Sequence, residues 1–150
     1  MKIAVVGTGY VGLVQGACLA HLGHDVFCVD VLDQRVEALN RGEVPIHEEG
    51  LPALISEGLE NGRLKFTNSV TDVVSSKPAI VFVCVQTPRN DDGSCDLSYI
   101  EKVLRSWGPK LNASTLVVIK STVPPGSRAL MHEWLGNHDI QIASNPEFLR

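Results

Sequence analysis

Six residues near the N-terminus have a composition and spacing that suit phosphate binding. The stretch GTGYVG (7–12) is a G-x-G-x-x-G pattern that directly follows the apolar run Lys2–Val6. In this pattern Gly7 permits a tight turn, Gly9 lets a pyrophosphate approach the backbone, and Gly12 lets a helix pack closely on a strand. The free N–H groups at the start of that helix add a partial positive charge. The pattern therefore predicts dinucleotide binding, provided that a strand precedes it and a helix follows.

An acidic residue stands where a dinucleotide-binding fold holds the ribose. Asp30 ends the apolar segment His24–Val29, and a carboxylate at this distance from the glycines can accept hydrogen bonds from an adenosine ribose. Val31 and Leu32 follow it, so no arginine directly replaces the acid to hold a 2′-phosphate, which favours NAD over NADP. Asp30 could instead cap the next helix. Arg35 either reaches the adenosine half of the cofactor or lies on a solvated helix face.

Polar residues also follow three later apolar segments, at the points where strands are expected to end. They are Thr87 after Ala79–Val85, Thr122 after Thr115–Ile119, and Glu147 after Ile140–Ser144. Ligands bind outside the carboxyl ends of strands in an open α/β sheet, so these residues could share one site with the glycine pattern. Each threonine could equally cap a helix or form a turn. The closing motif SNPEFLR (144–150) is therefore either a frayed tail or part of an active site.

These residues can meet only if strands and helices alternate along the chain. The predicted strands are Lys2–Val6, His24–Val29, Leu64–Thr67, Ala79–Val85, Thr115–Ile119 and Ile140–Ser144. The predicted helices are Val11–Leu22, Asp33–Arg41, Gly50–Glu60, Ser69–Ser75 with Ser69 as its cap, Ser98–Trp107 with a Ser98/Glu101 capping box, and Ser127–Leu135. The alternation predicts an α/β fold: a Rossmann-like, doubly wound, mostly parallel sheet of about six strands with helices on both faces.

Composition narrows the class of protein. The chain has 150 residues, 44% of them apolar and 20% charged, which is typical of one globular domain. Its net charge of −4 argues against a nucleic-acid partner. The apolar run Ala79–Val85 is too short to cross a bilayer, and Gly7 interrupts the N-terminal MKIAVV before a signal-peptide core develops. We therefore interpret the protein as cytoplasmic, with no membrane partner.

Neither the cysteines nor the acidic residues form a metal-binding pattern. Cys18, Cys28, Cys84 and Cys95 lack a CxxC pair, and the five histidines lack a metal-ligand spacing. Cys28 and Cys84 are interpreted as small buried thiols, whereas Cys95 lies in a polar loop and stays open. The stretch NDDG (90–93) lacks the ligand spacing of a calcium loop and is predicted to be a turn. No metal site is predicted.

Longer motifs give a resemblance that covers essentially all 150 residues. The sequence resembles the N-terminal domain of the UDP-glucose/GDP-mannose dehydrogenases, which oxidise the C6 alcohol of a nucleotide sugar to a uronic acid. The motifs are KIAVVGTGYVG, LNRGEVPIHEEGL (39–51), VQTP (85–88), DGSCDLSYIEKV (92–103), KSTVPPGS (120–127) and NPEFLR (145–150). GYVG, STVPPG and NPEFLR, in this order, are the most specific to that family.

The resemblance implies an NAD site and a nucleotide-sugar substrate such as UDP-glucose or GDP-mannose. Its cofactor-binding residues would be Gly7, Gly9, Tyr10, Val11, Gly12, Asp30, Arg35, Thr87 and Thr122. Thr122 and Glu147 would also act in catalysis, where they orient a water or handle a proton. Two positions depart from the family pattern: Glu49 stands where proline is usual, and Gln86 where glycine or asparagine is frequent.

The resemblance also implies that residues 1–150 are the NAD-binding domain of a longer enzyme. A second glutamate would fall just beyond Arg150, and the nucleophilic cysteine and the lysine would lie in the central helical and C-terminal sugar-nucleotide domains. None of the four cysteines matches that position, so we expect no turnover by this chain alone. Full-length family members are usually homo-oligomers. The alternatives are another Rossmann dehydrogenase of the β-hydroxyacid type, which would not carry STVPPG followed by NPEFLR, and a stand-alone NAD-sensing module.

Overall fold

Strands and helices alternate in the computed structural model, which describes residues 1–137 and 139–147. The strands are β1 (Lys2–Val6), β2 (Asp25–Val29), β3 (Leu64–Thr67), β4 (Ile80–Val83), β5 (Leu116–Ile119) and β6 (Gln141–Ser144). The helices are α1 (Tyr10–His21), α2 (Asp33–Asn40), α3 (Leu51–Glu60), α4 (Val70–Ser75), α5 (Ser98–Trp107) and α6 (Arg128–Leu135), with a 3₁₀ turn at Gly108–Lys110. Residues 148–150 of the closing motif lie outside the described residues.

One parallel sheet organises the fold, in the order β3-β2-β1-β4-β5-β6. Every neighbouring pair is parallel, and Val5 at the middle of β1 pairs with Cys28 of β2 on one side and Phe82 of β4 on the other. The strand order reverses between β1 and β4, which is the point where doubly wound sheets open a crevice at the carboxyl ends of their strands. The predicted α/β fold is therefore confirmed.

The core lies in two layers, one on each face of the sheet. Ile3 and Val5 of β1 pack with the helices α1 and α3, while Ala4 and Val6 face the opposite layer with α5 and α6. All four side chains are buried, which explains why the strands are apolar throughout and do not alternate with polar residues. Within the described ranges, no helix has both the length and the apolar character needed to span a membrane.

The start of α5 differs from the prediction. Its N-cap is Leu97 and makes no side-chain capping bond, because Ser98 already belongs to the helix. Asp96 Oδ1 accepts a hydrogen bond from the Ser98 N–H at 2.8 Å, and Glu101 pairs with Arg105. The Ser98/Glu101 capping box is therefore wrong: an aspartate two residues earlier takes the exposed N–H. The Ser69 cap of α4 is confirmed, since its Oγ accepts from the Asp72 N–H at 3.3 Å.

Candidate functional site

A cleft of about 600 Å³ opens at the carboxyl end of the sheet. The glycine loop (7–12) and the ends of β2 and β4 form one wall, and α5 forms the other through Tyr99, Lys102 and Val103. This volume is in the range of small-molecule and cofactor sites. Of the predicted site residues, Gly7, Gly9, Asp30 and Arg35 line this cleft.

Two glycines of the loop are required by the fold itself. Gly7 has φ +96°, and a Cβ there would lie 2.8 Å from the carbonyl oxygen of Cys84. A Cβ at Gly12 would fall on the carbonyl oxygen of Gly7 and 3.1 Å from the Cβ of Cys84. The backbone of α1 therefore packs directly against the ends of β1 and β4, which is the packing that the G-x-G-x-x-G pattern predicts.

Gly9 is different, because the protein does not need it to be glycine. Its φ is −70°, and apart from Gly9 itself and its two chain neighbours no atom of the described residues lies within 4 Å of a Cβ built at this position. It is the N-cap of α1, whose first turn has no acidic residue and no side-chain cap. Unpartnered N–H groups and open space above Gly9 form a cradle for a phosphate group. The residues present therefore fit a dinucleotide, and a side chain at position 9 would fill the cradle.

Asp30 faces the glycine loop from the end of β2. Its side chain is 7% exposed, and its carboxylate accepts four hydrogen bonds. Oδ2 accepts from the Thr8 N–H at 3.0 Å, the Thr8 hydroxyl at 2.6 Å and Arg35 Nη1 at 3.3 Å, while Oδ1 accepts from the Leu32 N–H at 3.1 Å. The N-cap of α2 is Leu32, so Asp30 is not the N-cap residue. Arg35 pairs with Asp30 and lines the cleft, with 38% of its side chain exposed.

These contacts keep Asp30 ionised. Burial by itself raises the pKa of the carboxyl, but the hydrogen bonds from the Thr8 hydroxyl, the Thr8 N–H and the Leu32 N–H, together with the nearby Arg35 guanidinium, lower it below its ordinary value of 3.8. An anionic acceptor therefore lies in the cleft at neutral pH. Sequence reasoning missed Thr8, which is 1% exposed, because the second position of the glycine pattern places no demand on residue type.

Thr87 and Thr122 lie beyond the cleft, after β4 and β5. The structure brings their backbones to one thiol: Cys95 Sγ lies 4.0 Å from the Thr87 carbonyl oxygen and 3.9 Å from that of Thr122. Thr122 is exposed and Thr87 half-buried. The two threonines therefore lie near each other, and Cys95 is the half-buried residue between them.

Glu147 is held by a lysine that sequence reasoning also missed. Lys120 is 8% exposed, and its Nζ lies 2.8 Å from Glu147 Oε2 and 3.2 Å from Asn145 Oδ1. Burial raises the pKa of the neighbouring Cys84 thiol to about 12, with Lys120 lowering and Glu147 raising it by smaller amounts. Cys84 also contacts the glycine loop, so it lies between the cleft and the Lys120–Glu147 pair.

Tyr10 lies at the edge of the glycine loop and reaches a distant segment. Its hydroxyl donates to a carboxylate oxygen of Glu48, in the segment that leads to α3. The side chain is 43% exposed, and Val11 behind it is half-buried. Glu48 directly precedes Glu49, which departs from the family pattern. The segment around Glu49 therefore contacts the predicted cofactor loop through Glu48.

Known proteins match this fold and these motifs over the whole chain. Residues 1–150 match the model described as "UDP-glucose/GDP-mannose dehydrogenase family, NAD binding domain". The UDP-glucose 6-dehydrogenase of Rhizobium meliloti is 43% identical over 155 residues, which cover 100% of this chain and 35% of that protein. The chain spans about a third of the length of the curated relatives it matches.

Two solved structures show the same similarity. A ternary complex of GDP-mannose dehydrogenase from Pseudomonas aeruginosa superimposes with a TM-score of 0.87 at 37% identity, covering 100% of this chain and 37% of that one. A UDP-glucose dehydrogenase from the archaeon Pyrobaculum islandicum gives a TM-score of 0.89 at 39% identity, covering 99% and 36%.

The two glycines at positions 9 and 12 provide a matched pair of tests. Gly9→Ala meets open space, so we expect an unchanged midpoint of thermal unfolding but an affinity for NAD that is lower by about tenfold or more, since the methyl group occupies the phosphate cradle. Gly12→Ala meets backbone and should lower the free energy of unfolding by about 3 kcal/mol. Thermal unfolding and calorimetric titration measure both effects. An unchanged affinity in Gly9→Ala would contradict the cradle.

Asp30 should contribute to stability in a pH-dependent way. Because folding lowers its pKa, its stabilising effect is fully present above pH 3.8 and is lost as the pH falls through the folded-state pKa. We expect Asp30→Asn to lower the free energy of unfolding by about 2 kcal/mol at pH 7, and this deficit to shrink in acid. Urea unfolding at several pH values measures it, with Asp91→Asn in an exposed turn as the control. A deficit that does not change with pH would contradict the ionised state.

Proposed function

The chain belongs to the UDP-glucose/GDP-mannose dehydrogenase family and matches its NAD binding domain, and we propose that it forms the cofactor half of a nucleotide-sugar 6-dehydrogenase. The observation that carries the proposal is the ionised Asp30 carboxylate in the same cleft as the open backbone of Gly9. Backbone N–H donors for a phosphate and a carboxylate acceptor for a ribose, present in one cleft, suit a dinucleotide without a 2′-phosphate.

Each residue of the predicted cofactor site is proposed to have a part in holding the cofactor. The first turn of α1 and Gly9 receive the pyrophosphate, Asp30 accepts the hydroxyls of the adenosine ribose, and Arg35 lies on the adenosine side. Gly7 and Gly12 shape the loop, Tyr10 and Val11 form its outer edge, and Thr87 and Thr122 contact the remainder of the cofactor beyond β4 and β5. NAD, when bound, supplies the hydride acceptor. The residues of this cofactor region bind and orient it.

The reacting end of the site is proposed to lie at β5 and β6. Thr122 and Glu147 orient a water or accept a proton beside the alcohol of the substrate. The support is the ion pair with the buried Lys120, which holds the Glu147 carboxylate through Oε2 at this edge of the sheet. A nucleotide sugar such as UDP-glucose or GDP-mannose is the proposed substrate, because the relatives named above are dehydrogenases of these compounds.

The acid-forming step needs a thiol nucleophile, and we propose that the longer enzyme supplies it outside residues 1–150. Burial raises the pKa of Cys28 far above its usual range and that of Cys84 to about 12, so neither forms a thiolate at neutral pH. The same proposal includes a cytoplasmic location, as argued from composition, and a homo-oligomeric full-length protein, as the resemblance implies.

Calorimetric titration of the chain tests the cofactor assignment. We expect NAD to bind more tightly than NADP, because the Asp30 carboxylate repels a 2′-phosphate. Asp30→Ala should weaken NAD binding by about tenfold, through the loss of charge-assisted hydrogen bonds to the ribose. Asp91→Ala, in the exposed turn, is the control. Equal affinities of the wild-type chain for NAD and NADP would refute the ribose assignment.

A turnover assay tests whether residues 1–150 lack groups that catalysis needs. The chain mixed with NAD and either UDP-glucose or GDP-mannose should give no steady rise in NADH absorbance, because most sugar-nucleotide contacts, the lysine and the nucleophilic cysteine are expected in the later domains of the longer enzyme. Steady turnover would show that residues 1–150 already hold what hydride transfer from the sugar nucleotide requires. NAD binding that responds to neither sugar nucleotide in a protein extended to the length of the relatives would favour an NAD-sensing module instead.

A further inference from the structure

Thr8 has an unusual position for a residue between two loop glycines. Its side chain is 1% exposed, although it lies at the mouth of the cleft, and both of its donors point at one atom. The N–H and the hydroxyl donate to Asp30 Oδ2 at 3.0 and 2.6 Å. Hydrogen bonds from a hydroxyl and an amide to a carboxylate are stronger than neutral ones, so this pair fixes the orientation of the acid.

The four donors are distributed unequally over the carboxylate. Three of them converge on Oδ2, from Thr8 twice and from Arg35, whereas among the described residues Oδ1 accepts from the Leu32 N–H alone. Each carboxylate oxygen has about two lone-pair sites, so Oδ2 is saturated and Oδ1 has a remaining acceptor position. Asp30 lines the cleft, where its carboxylate can accept from a hydroxyl-bearing ligand.

We propose that Thr8 is a positioning residue for the cofactor: it occupies Asp30 Oδ2 and so presents Oδ1 to the ribose hydroxyls. The proposal rests on the NAD binding proposed above. While Thr8 holds the Asp30 carboxylate, this group cannot rotate to avoid the 2′-phosphate of NADP. Thr8 therefore contributes to the preference for NAD over NADP. Arg35 and Lys102 are the charged groups that line the cleft with Asp30, and Arg35 is already paired with Oδ2.

Thr8→Val tests this with little change in side-chain volume. It removes the hydroxyl and keeps the N–H. We expect NAD affinity to fall by about tenfold, and the ratio of NAD affinity to NADP affinity to fall toward one. The pKa of Asp30, followed by carboxyl NMR, should rise toward its ordinary value. Thr8→Ser keeps the donor and should restore both. If Thr8→Val does not fold, Thr8→Ala removes the same hydroxyl without the second methyl group and is read in the same way.

Thr115→Val is the matched control. Thr115 is 2% exposed and donates its hydroxyl to the Pro78 carbonyl oxygen at 3.0 Å, but it precedes β5 at the opposite edge of the sheet. It should lose stability as Thr8→Val does and keep NAD affinity within about twofold. A loss of affinity equal to that of Thr8→Val would mean that destabilisation alone explains the effect, and would overturn the proposal.

A double-mutant cycle separates positioning from direct contact. If Thr8 acts through Asp30, Thr8→Val should have almost no further effect on NAD affinity in the Asp30→Ala background, which has no side-chain acceptor for the Thr8 hydroxyl. The same loss in both backgrounds would mean that the hydroxyl contacts the cofactor itself, and would overturn the proposal. Wild-type affinity in Thr8→Val would overturn it as well, while leaving the proposed function intact. No NAD binding by the wild-type chain would overturn both.

Discussion

The site depends on a contact between backbone atoms at the centre of the sheet. The first turn of α1 lies so close to the ends of β1 and β4 that a Cβ at Gly12 would fall on the Gly7 carbonyl oxygen, and one at Gly7 would crowd the carbonyl oxygen of Cys84. This approach brings the N-terminus of α1 to the carboxyl edge of the sheet, where its N–H groups are available. In the same loop the Thr8 N–H points toward the end of β2, where it donates to Asp30 Oδ2. The glycine contact and the orientation of Asp30 are therefore linked.

The charges at this edge are compensated within the chain. Asp30 pairs with Arg35, and Lys120 pairs with Glu147, on opposite sides of the switch point between β1 and β4. A buried charge without a partner would be strongly destabilising, so each member of a pair offsets the cost of burying the other. With Arg35 and Lys120 paired and a net charge of −4, the backbone dipoles at the N-terminus of α1 add to the attraction that Lys102, at the cleft, has for a phosphate. That explains why an acidic protein can have an anion cradle.

Local patterns predicted much of this molecule, and contacts between distant segments explain what they missed. The strands, the helix starts and the glycine loop depend on neighbouring residues, so their periodicity and turn chemistry were sufficient to predict them. The sequence gives no sign that Lys120 pairs with Glu147, because the two residues become neighbours only when β5 pairs with β6. Thr8 and the contact between Tyr10 and Glu48 depend likewise on how distant segments pack. The capping box failed for a local reason, since Asp96 competes for the same N–H.

The reversal of strand order divides the edge into two regions with different chemistry. The β1–β2 region has a cleft, the Asp30 carboxylate with its Oδ2 fully occupied, and open glycine backbone, which suit a ligand that is held in place. The β4–β6 region has exposed Thr122 and Glu147, whose Oε2 pairs with Lys120, and these polar groups are accessible to a second molecule. A dinucleotide bound across the switch point would extend from the first region to the second. Cys84, whose raised pKa keeps its thiol protonated, lies between the two regions and offers no thiolate to either.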